Sequence, residues 1–379
     1  MQLPSLGLYI HLPWCERKCP YCDFNSHEAR AIPQKAYVDA LLADLEQDLP
    51  LAQGRTIDTL FIGGGTPSLF DPDSIDRLLQ GVASRLDVAA DLEATMEANP
   101  GSAEAGKFAG FRAAGINRLS IGIQSFDDDC LRALGRVHDS GQARAAVAMA
   151  REAGFDNFNL DLMHGLPGQT LESALRDLQC AIEFDPPHLS WYQLTIEPNT
   201  RFHKHPPQLP VEEILGEIQE QGEALLSGAS LLQYEVSAYA RPGFQCRHNL
   251  NYWAFGDYLG MGAGAHSKIS FPDGRISRYH KTRMPEGYLK AAPGSQLAGR
   301  RTLSSEEIIG EFMMNALRLC DGFTIEQFEA HTGLAFTMVE NAVAELVERD
   351  LLARDERGIR TTALGRRFLD SVTAELFPD

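Results

Sequence analysis

Along the first two hundred or so residues, short apolar runs alternate with longer stretches whose apolar positions recur three and four apart. The runs Gly7–Leu12, Ile57–Ile62, Leu92–Glu97, Arg118–Ile123, Phe155–Leu162 and Leu189–Leu194 are mostly apolar, as strands buried on both faces are. Between them Ala36–Leu49, Pro72–Leu86, Ala103–Ala114, Gln142–Ala153 and Leu171–Phe184 place their apolar residues on one face of a helix. Repeated strand–helix alternation predicts an α/β fold with a parallel sheet and right-handed crossovers. About six such units suit an open barrel or a doubly wound sheet. The chemistry-bearing segments fall just after strand ends, where barrel-type α/β folds carry their ligands.

Beyond this the pattern changes. Glu197–Pro210, rich in Pro and His, reads as a loop, Val211–Ser227 as a helix and Tyr234–Tyr239 as a strand. Arg247–Ser267 is dense in Gly, Asn and aromatics. From Leu303 onward, Ser304–Leu319, Thr324–Thr332 and Phe336–Arg349 read as helices and Leu352–Thr362 as a β-hairpin turning at Asp355 to Gly358. This predicts a barrel over 1–235, an α+β connecting region over 236–302 and a winged-helix-like unit over 303–379. In the last unit Phe336–Arg349 sets Glu340, Glu345 and Glu348 against Arg349, which would repel phosphate, so packing or a lid role is expected rather than DNA binding.

Charge narrows the classes further. Asp and Glu number 52 against 34 Lys and Arg, a net charge of −18, which disfavours a general nucleic-acid binder or a polybasic membrane anchor. No apolar run is long enough to span a bilayer, and residues 1–7 lack the basic-then-apolar pattern of a secretory signal. The cytoplasm is the expected compartment. Of seven cysteines three crowd into residues 15–22, which reads as metal binding rather than a disulfide framework. Cys130, Cys180 and Cys320 are expected to be ordinary buried thiols.

Cys15, Cys19 and Cys22 form a C-x3-C-x2-C loop directly after the first strand. Thiolates favour iron–sulfur ligation, and three of them hold three corners of a [4Fe-4S] cubane while leaving one iron open. An open iron can chelate the amino and carboxylate groups of S-adenosylmethionine (SAM), and an electron from the cluster can then cleave the sulfonium to a 5′-deoxyadenosyl radical. A structural zinc site is the competing reading, with His11, Asp23 or His27 as fourth ligand, but separated ligand pairs are lacking.

The three-cysteine loop, an aromatic just before its last Cys, and Gly63-Gly64-Gly65-Thr66-Pro67 after the second strand together resemble the radical SAM superfamily. That resemblance implies a partial (β/α)6 barrel, with the glycine segment contacting the methionine amino group of SAM. The likeness extends over nearly the whole chain to the oxygen-independent coproporphyrinogen III dehydrogenase branch. It is carried by Glu97-Ala98-Asn99-Pro100-Gly101, Ile121–Phe126, Leu134–His138 and Asp161–Gln169. In that branch the residues matching Tyr9, Tyr21, Gly64, Gly65, Thr66 and Glu97 line the SAM bound at the cluster. Those matching Gln124, Arg136 and Asp161 serve a second SAM in the dehydrogenase. Read from the residues alone, a carboxylate at a strand end suits ribose hydroxyls or an ammonium group, and Arg136 suits a carboxylate.

Two features depart from the dehydrogenase. Phe24 stands where it carries a further cysteine, and its long N-terminal extension is missing ahead of Cys15. Both are as in a sister family, the HemW-type heme chaperones, whose H-N-x-x-Y-W motif is matched by His248-Asn249-Leu250-Asn251-Tyr252-Trp253. That resemblance implies heme as cargo, apo-hemoprotein recipients such as respiratory enzymes at the inner face of the membrane, and a homodimer. It makes 236–302 the heme-associated region. His248 offers an axial imidazole, Tyr252 and Trp253 offer flat walls, and Arg247 a partner for a propionate, with Cys246 and His266 as rival ligands. Radical decarboxylation of coproporphyrinogen III to protoporphyrinogen IX is the alternative activity.

Overall fold

The computed structural model describes residues 2–377. Strand β1 (Leu6–Leu12) is buried at every position except the partly exposed Tyr9, and neighbouring strands cover both its edges. It is followed in parallel register by β2 (Ile57–Gly64), β3 (Val88–Ala98), β4 (Arg118–Gln124), β5 (Phe158–His164) and β6 (His188–Gln193). Helices α1 (Gln34–Ala52), α2 (Pro72–Ala83), α3 (Phe108–Ala114), α4 (Ser140–Glu152) and α5 (Leu171–Glu183) join them. Their starts are encoded locally. Asp139 with Gln142 and Thr170 with Ser173 form reciprocal caps that satisfy first-turn N–H groups of α4 and α5.

Helix α6 (Glu212–Gly228) leads into a hairpin, β7 (Leu232–Glu235) and β8 (Ala238–Ala240), which extends the sheet antiparallel to β6. The single strand expected over Tyr234–Tyr239 is divided because Glu235 Oε1 accepts from the Ser237 N–H and hydroxyl, turning the chain. Helix α7 (Arg247–Trp253) then precedes β9 (Asp257–Met261), which pairs parallel with the free edge of β1. The composition of Arg247–Ser267 hides this seventh parallel strand. Its Gly260 has no room for a side chain, since a Cβ there would lie 1.9 Å from the His266 carbonyl oxygen.

Strands β10 (His266–Ser270), β11 (Ile276–Lys281) and β12 (Leu297–Thr302) continue antiparallel, so most of 236–302 extends the same sheet. The final order is β12-β11-β10-β9-β1-β2-β3-β4-β5-β6-β8-β7, an open sheet of twelve strands that is parallel at its centre. Among the described residues its ends do not pair, so the barrel is partial.

The C-terminal unit comprises α8 (Ser305–Ala316), α9 (Ile325–Thr332), α10 (Glu340–Glu348), the hairpin β13 (Leu352–Asp355) and β14 (Gly358–Thr361), and α11 (Leu369–Glu375). The expected three helices and hairpin are present, and α11 is an addition. Phe312, Phe323, Phe328 and Phe336 pack edge to face or tilted in its own core. Phe255 from the barrel side joins that core against Phe312 at 5.6 Å. Arg278 of β11 meets Glu311 of α8 at 2.9 Å, and His331 of α9 meets the Ala254 carbonyl at 2.8 Å.

A buried ion cluster ties α1 to the added strands. Lys281 Nζ donates to Asp44 at 2.6 Å and Asp48 at 2.7 Å, while Tyr288 donates to Asp44 at 2.8 Å. Lys281 and Asp44 are 3% and 1% exposed, so removing the lysine leaves the buried Asp44 carboxylate and the partly buried Asp48 without their cation. Lys281→Met is therefore expected to lower unfolding stability by about 3–5 kcal/mol in urea denaturation followed by circular dichroism.

Candidate functional site

The cysteine loop leaves the carboxyl end of β1, and the glycine loop leaves the same end of its neighbour β2. Backbone bonds bind the two loops together: Gly65 N–H donates to Leu12 O at 2.8 Å and Thr66 N–H to Trp14 O at 2.7 Å. This close approach is what the glycines permit. A Cβ on Gly65 would lie 2.4 Å from Trp14 O, and Gly64 has φ +116°, a conformation that L side chains rarely adopt. The Thr66 hydroxyl then donates to Cys15 Sγ at 3.5 Å, Ser26 Oγ lies 3.7 Å from Cys22 Sγ, and Arg136 Nη1 donates to Cys19 Sγ at 3.7 Å. All three thiols are free and line one cavity of about 560 Å³.

Tyr21, Gly64, Gly65, Thr66, Glu97, Gln124, Arg136 and Asp161 line that same cavity. Arg136 is oriented by Asn99 Oδ1 at 2.7 Å and Gly122 O at 2.9 Å, while its buried Nε has no partner among the described residues. Gln124 closes β4 with φ +67° beside a register irregularity, a strained geometry of the kind kept at ligand sites, and Tyr192 donates to it at 2.9 Å. Asp161 accepts from Ser120 at 2.9 Å and Asn159 at 2.8 Å. Gly64 N–H donates to Glu97 at 3.1 Å, yet burial, with the Asp161 charge second, pushes the Glu97 carboxyl up to about 7.

Three free thiols, an orphaned guanidinium N–H and a glycine cradle fit a [4Fe-4S] cluster with an amino acid-bearing ligand beside it. Cys15, Cys19 and Cys22 could hold the cluster. Burial raises the Cys15 and Cys22 thiols, so a bound cation is what would keep them as thiolates. The zinc alternative keeps Asp23, which lines the cavity with the cysteines, but its histidines are engaged. Both His11 ring nitrogens are engaged, by Tyr9 and by the Asn25 carbonyl at 2.9 Å each, and His27 Nε2 lies 3.1 Å from Asn25 Oδ1.

Tyr9, grouped by resemblance with the SAM residues, lines instead an adjoining cavity of about 660 Å³. So do His248, Tyr252 and Trp253, with Phe24, Phe61, Tyr258, His266, His280 and Arg283. The two cavities share a wall made by Phe24, Phe61, Gly64, Glu97, Asn249 and Trp253. His248 is held from three sides: Nδ1 lies 3.0 Å from Thr59 Oγ1, the ring stacks on Phe61 at 5.2 Å, and its backbone N–H donates to Glu93 at 3.2 Å. Gly7 makes room, since a Cβ there would meet the imidazole at 3.3 Å and Thr59 Oγ1 at 2.9 Å. Burial, with the Arg118 charge second, lowers His248 to about 4, so the ring is neutral.

Two of the expected residues lie elsewhere. Cys246 is fully buried with its thiol toward Glu93 at 3.7 Å, and Arg247 turns away to the Asp91 carbonyl at 2.7 Å; neither lines the second cavity. Thr59, Phe61 and Glu93, which position His248, were missed. The one cue in the chain is Gly7, a glycine inside a strand, the mark of a close approach. Cys130 and Cys180 are buried as expected and Cys320 is half-buried.

Residues 9–181 match the Radical SAM superfamily and residues 303–368 the HemN C-terminal domain. Fold and cysteine loop thus define a radical SAM protein. The chain is 51% identical to the heme chaperone HemW of Escherichia coli (strain K12), covering 100% of this chain and 99% of that protein. It is 49% identical to HemW of Haemophilus influenzae, covering 99% and 98%. The crystal structure of E. coli coproporphyrinogen III oxidase (HemN), described as a radical SAM enzyme, superimposes with a TM-score of 0.82 at 27% identity, over 99% of this chain and 90% of that one. The chain belongs to the HemW family of heme chaperones.

Cys19→Ala should remove the iron–sulfur absorbance after anaerobic reconstitution; an unchanged iron content would contradict the ligand set. Glu97 gives a pH signature. Its folded pKa of about 7 exceeds the ordinary carboxyl value of 4.5, so its contribution to stability is present below about 4.5 and is lost as pH rises to about 7. Glu97→Gln should flatten the fall in Tm of the metal-free protein between about pH 5 and pH 8, measured by scanning calorimetry.

Proposed function

We propose that this chain is a heme chaperone that holds a [4Fe-4S] cluster on Cys15, Cys19 and Cys22, SAM in the first cavity and heme in the second. When bound, the cluster supplies an open iron position for SAM and an electron. Tyr21, the Gly64–Thr66 loop, Glu97, Gln124, Arg136 and Asp161 would orient SAM, with Arg136 facing its carboxylate. In the second cavity His248 would bind heme iron, and Tyr252 and Trp253 would lie against the macrocycle. Arg283, which lines that cavity, replaces Arg247 as the partner for a propionate. Delivery to apo-hemoproteins, respiratory enzymes at the inner membrane face among them, would take place from the cytoplasm. A homodimer is part of the same reading. No helix among the described residues is long and apolar enough to cross a membrane.

The observation that supports this reading most strongly is a neutral imidazole fixed at Nδ1 by Thr59, leaving Nε2 without a hydrogen bond among the described residues, on the wall of an aromatic-rich cavity. A heme-iron ligand needs that form, because protonation removes the lone pair that binds the metal. The dehydrogenase reading draws on the likeness to HemN. Against it stands Phe24, 61% exposed on the shared wall where that branch carries a cysteine.

His248→Ala should weaken heme binding at least about tenfold, or change the heme spectrum, while the iron–sulfur absorbance stays intact. Overlapping titrations of variant and parent would place the ligand elsewhere. Because His248 protonates near 4 rather than near 6.5, heme affinity should hold constant from about pH 8 to about pH 6 and fall only below about 5. A midpoint near 6.5 in anaerobic heme titrations would contradict His248 as the ligand.

A further inference from the structure

Arg118 opens β4, and Gln124 closes it, about 20 Å away along the strand at 3.3 Å per residue. Both line the first cavity, which therefore runs from the cysteine loop to the opposite end of the sheet. At 2% exposure Arg118 is among the largest fully buried side chains. Its guanidinium makes no hydrogen bond and no ion pair within 4.0 Å among the described residues, and its Nε is an orphaned donor.

The nearby carboxylates are committed elsewhere. Glu93 Oε1 accepts from Cys246 Sγ at 3.7 Å and His248 N–H at 3.2 Å. Asp161 accepts from Ser120 and Asn159, and Glu235 from Ser237 and, at 3.2 Å, from Arg318. Burial acts against the Arg118 charge, but Cys246, Glu93, Tyr234 and Asp161 offset it through space; what the guanidinium lacks is a hydrogen-bonding partner, and a fork of N–H donors on a cavity wall is matched by a planar anion that accepts two bonds.

We infer that Arg118 receives a carboxylate at this end of the first cavity, a site separate from the cysteine loop. Glu93 and Asp161 act on the same guanidinium, so a phosphate dianion would be repelled more strongly than a monoanion. The carboxylate belongs either to a tetrapyrrole propionate, which rests on the heme reading, or to a free carboxylic acid.

The test is thermal unfolding of the cluster-loaded protein with acetate as the probe, against chloride at equal ionic strength. Acetate should raise the Tm of the parent and leave Arg118→Met unchanged. Arg118→Lys keeps a charge but not the fork and should respond to acetate at least about tenfold more weakly. Acetate titrations that overlay for parent and either variant, or a parent that does not respond, would overturn the site. Preloading with heme or with heme dimethyl ester then distinguishes the sources. Suppression of the acetate shift by heme alone identifies a propionate, and a shift that survives both identifies a separate acid. The acetate comparison needs no heme, so its result stands whether or not this chain binds heme.

Discussion

Strand β1 is hydrogen-bonded along both edges, to β9 on one side and β2 on the other, and both cavities take their positions from it. Its carboxyl end launches the cysteine loop. Its Gly7 gives the His248 ring room, and its Tyr9 lines the second cavity. Parallel pairing on two edges leaves the strand little freedom to shift without breaking backbone bonds on both sides. The three cysteines beyond its carboxyl end and the His248 ring that packs against its Gly7 are thereby set by one rigid strand, although 226 residues separate Cys22 from His248 (248 − 22). The C-terminal half is consequently part of the barrel's wall rather than an appendage, and the winged-helix-like unit braces it through Phe255, Glu311 and Arg318.

Electrostatics are arranged around that frame in opposite senses inside and out. The chain carries −18 overall, yet Arg118, Lys268 and Lys281 are nearly inaccessible to water. Lys268 and Lys281 are matched by Asp257 and by Asp44 with Asp48, which makes them structural. Arg136 is spread over a thiol, an amide and a carbonyl, and Arg118 has no such partner. Burial also holds His248 neutral and pushes the Glu97 carboxyl up to about 7, so it discharges groups that line the second cavity to different extents. Ligand-binding chemistry here comes from desolvation as much as from the residues themselves.

Much of this architecture was legible in the chain, because buried parallel strands and amphipathic helices leave strong, different periods. The six βα strands and the C-terminal helices and hairpin follow from those periods. The cysteine loop was legible from spacing alone, since its three thiols are neighbours in sequence. Strand β9 was not, because a strand that must pass its neighbours closely is written in glycine and reads as loop. The setting of His248 was equally hidden: Thr59, Phe61, Glu93 and Gly7 reach it from three strands, and contact between distant segments has no periodic signature. Arg118 looked like an ordinary first residue of a strand, and only its isolation in three dimensions sets it apart. Arg247 and Cys246, adjacent to His248 in sequence, illustrate the converse, since a helix turns neighbours to different faces.

The most direct test of two adjoining cofactor cavities serving transfer rather than turnover is an anaerobic heme titration of the reconstituted protein. It is run beside an assay of coproporphyrinogen III with SAM and a reductant. Saturable heme binding by cluster-loaded protein, with no protoporphyrinogen formed, is the result this account requires. Protoporphyrinogen production without saturable heme binding would contradict it and make the first cavity the site of a decarboxylase.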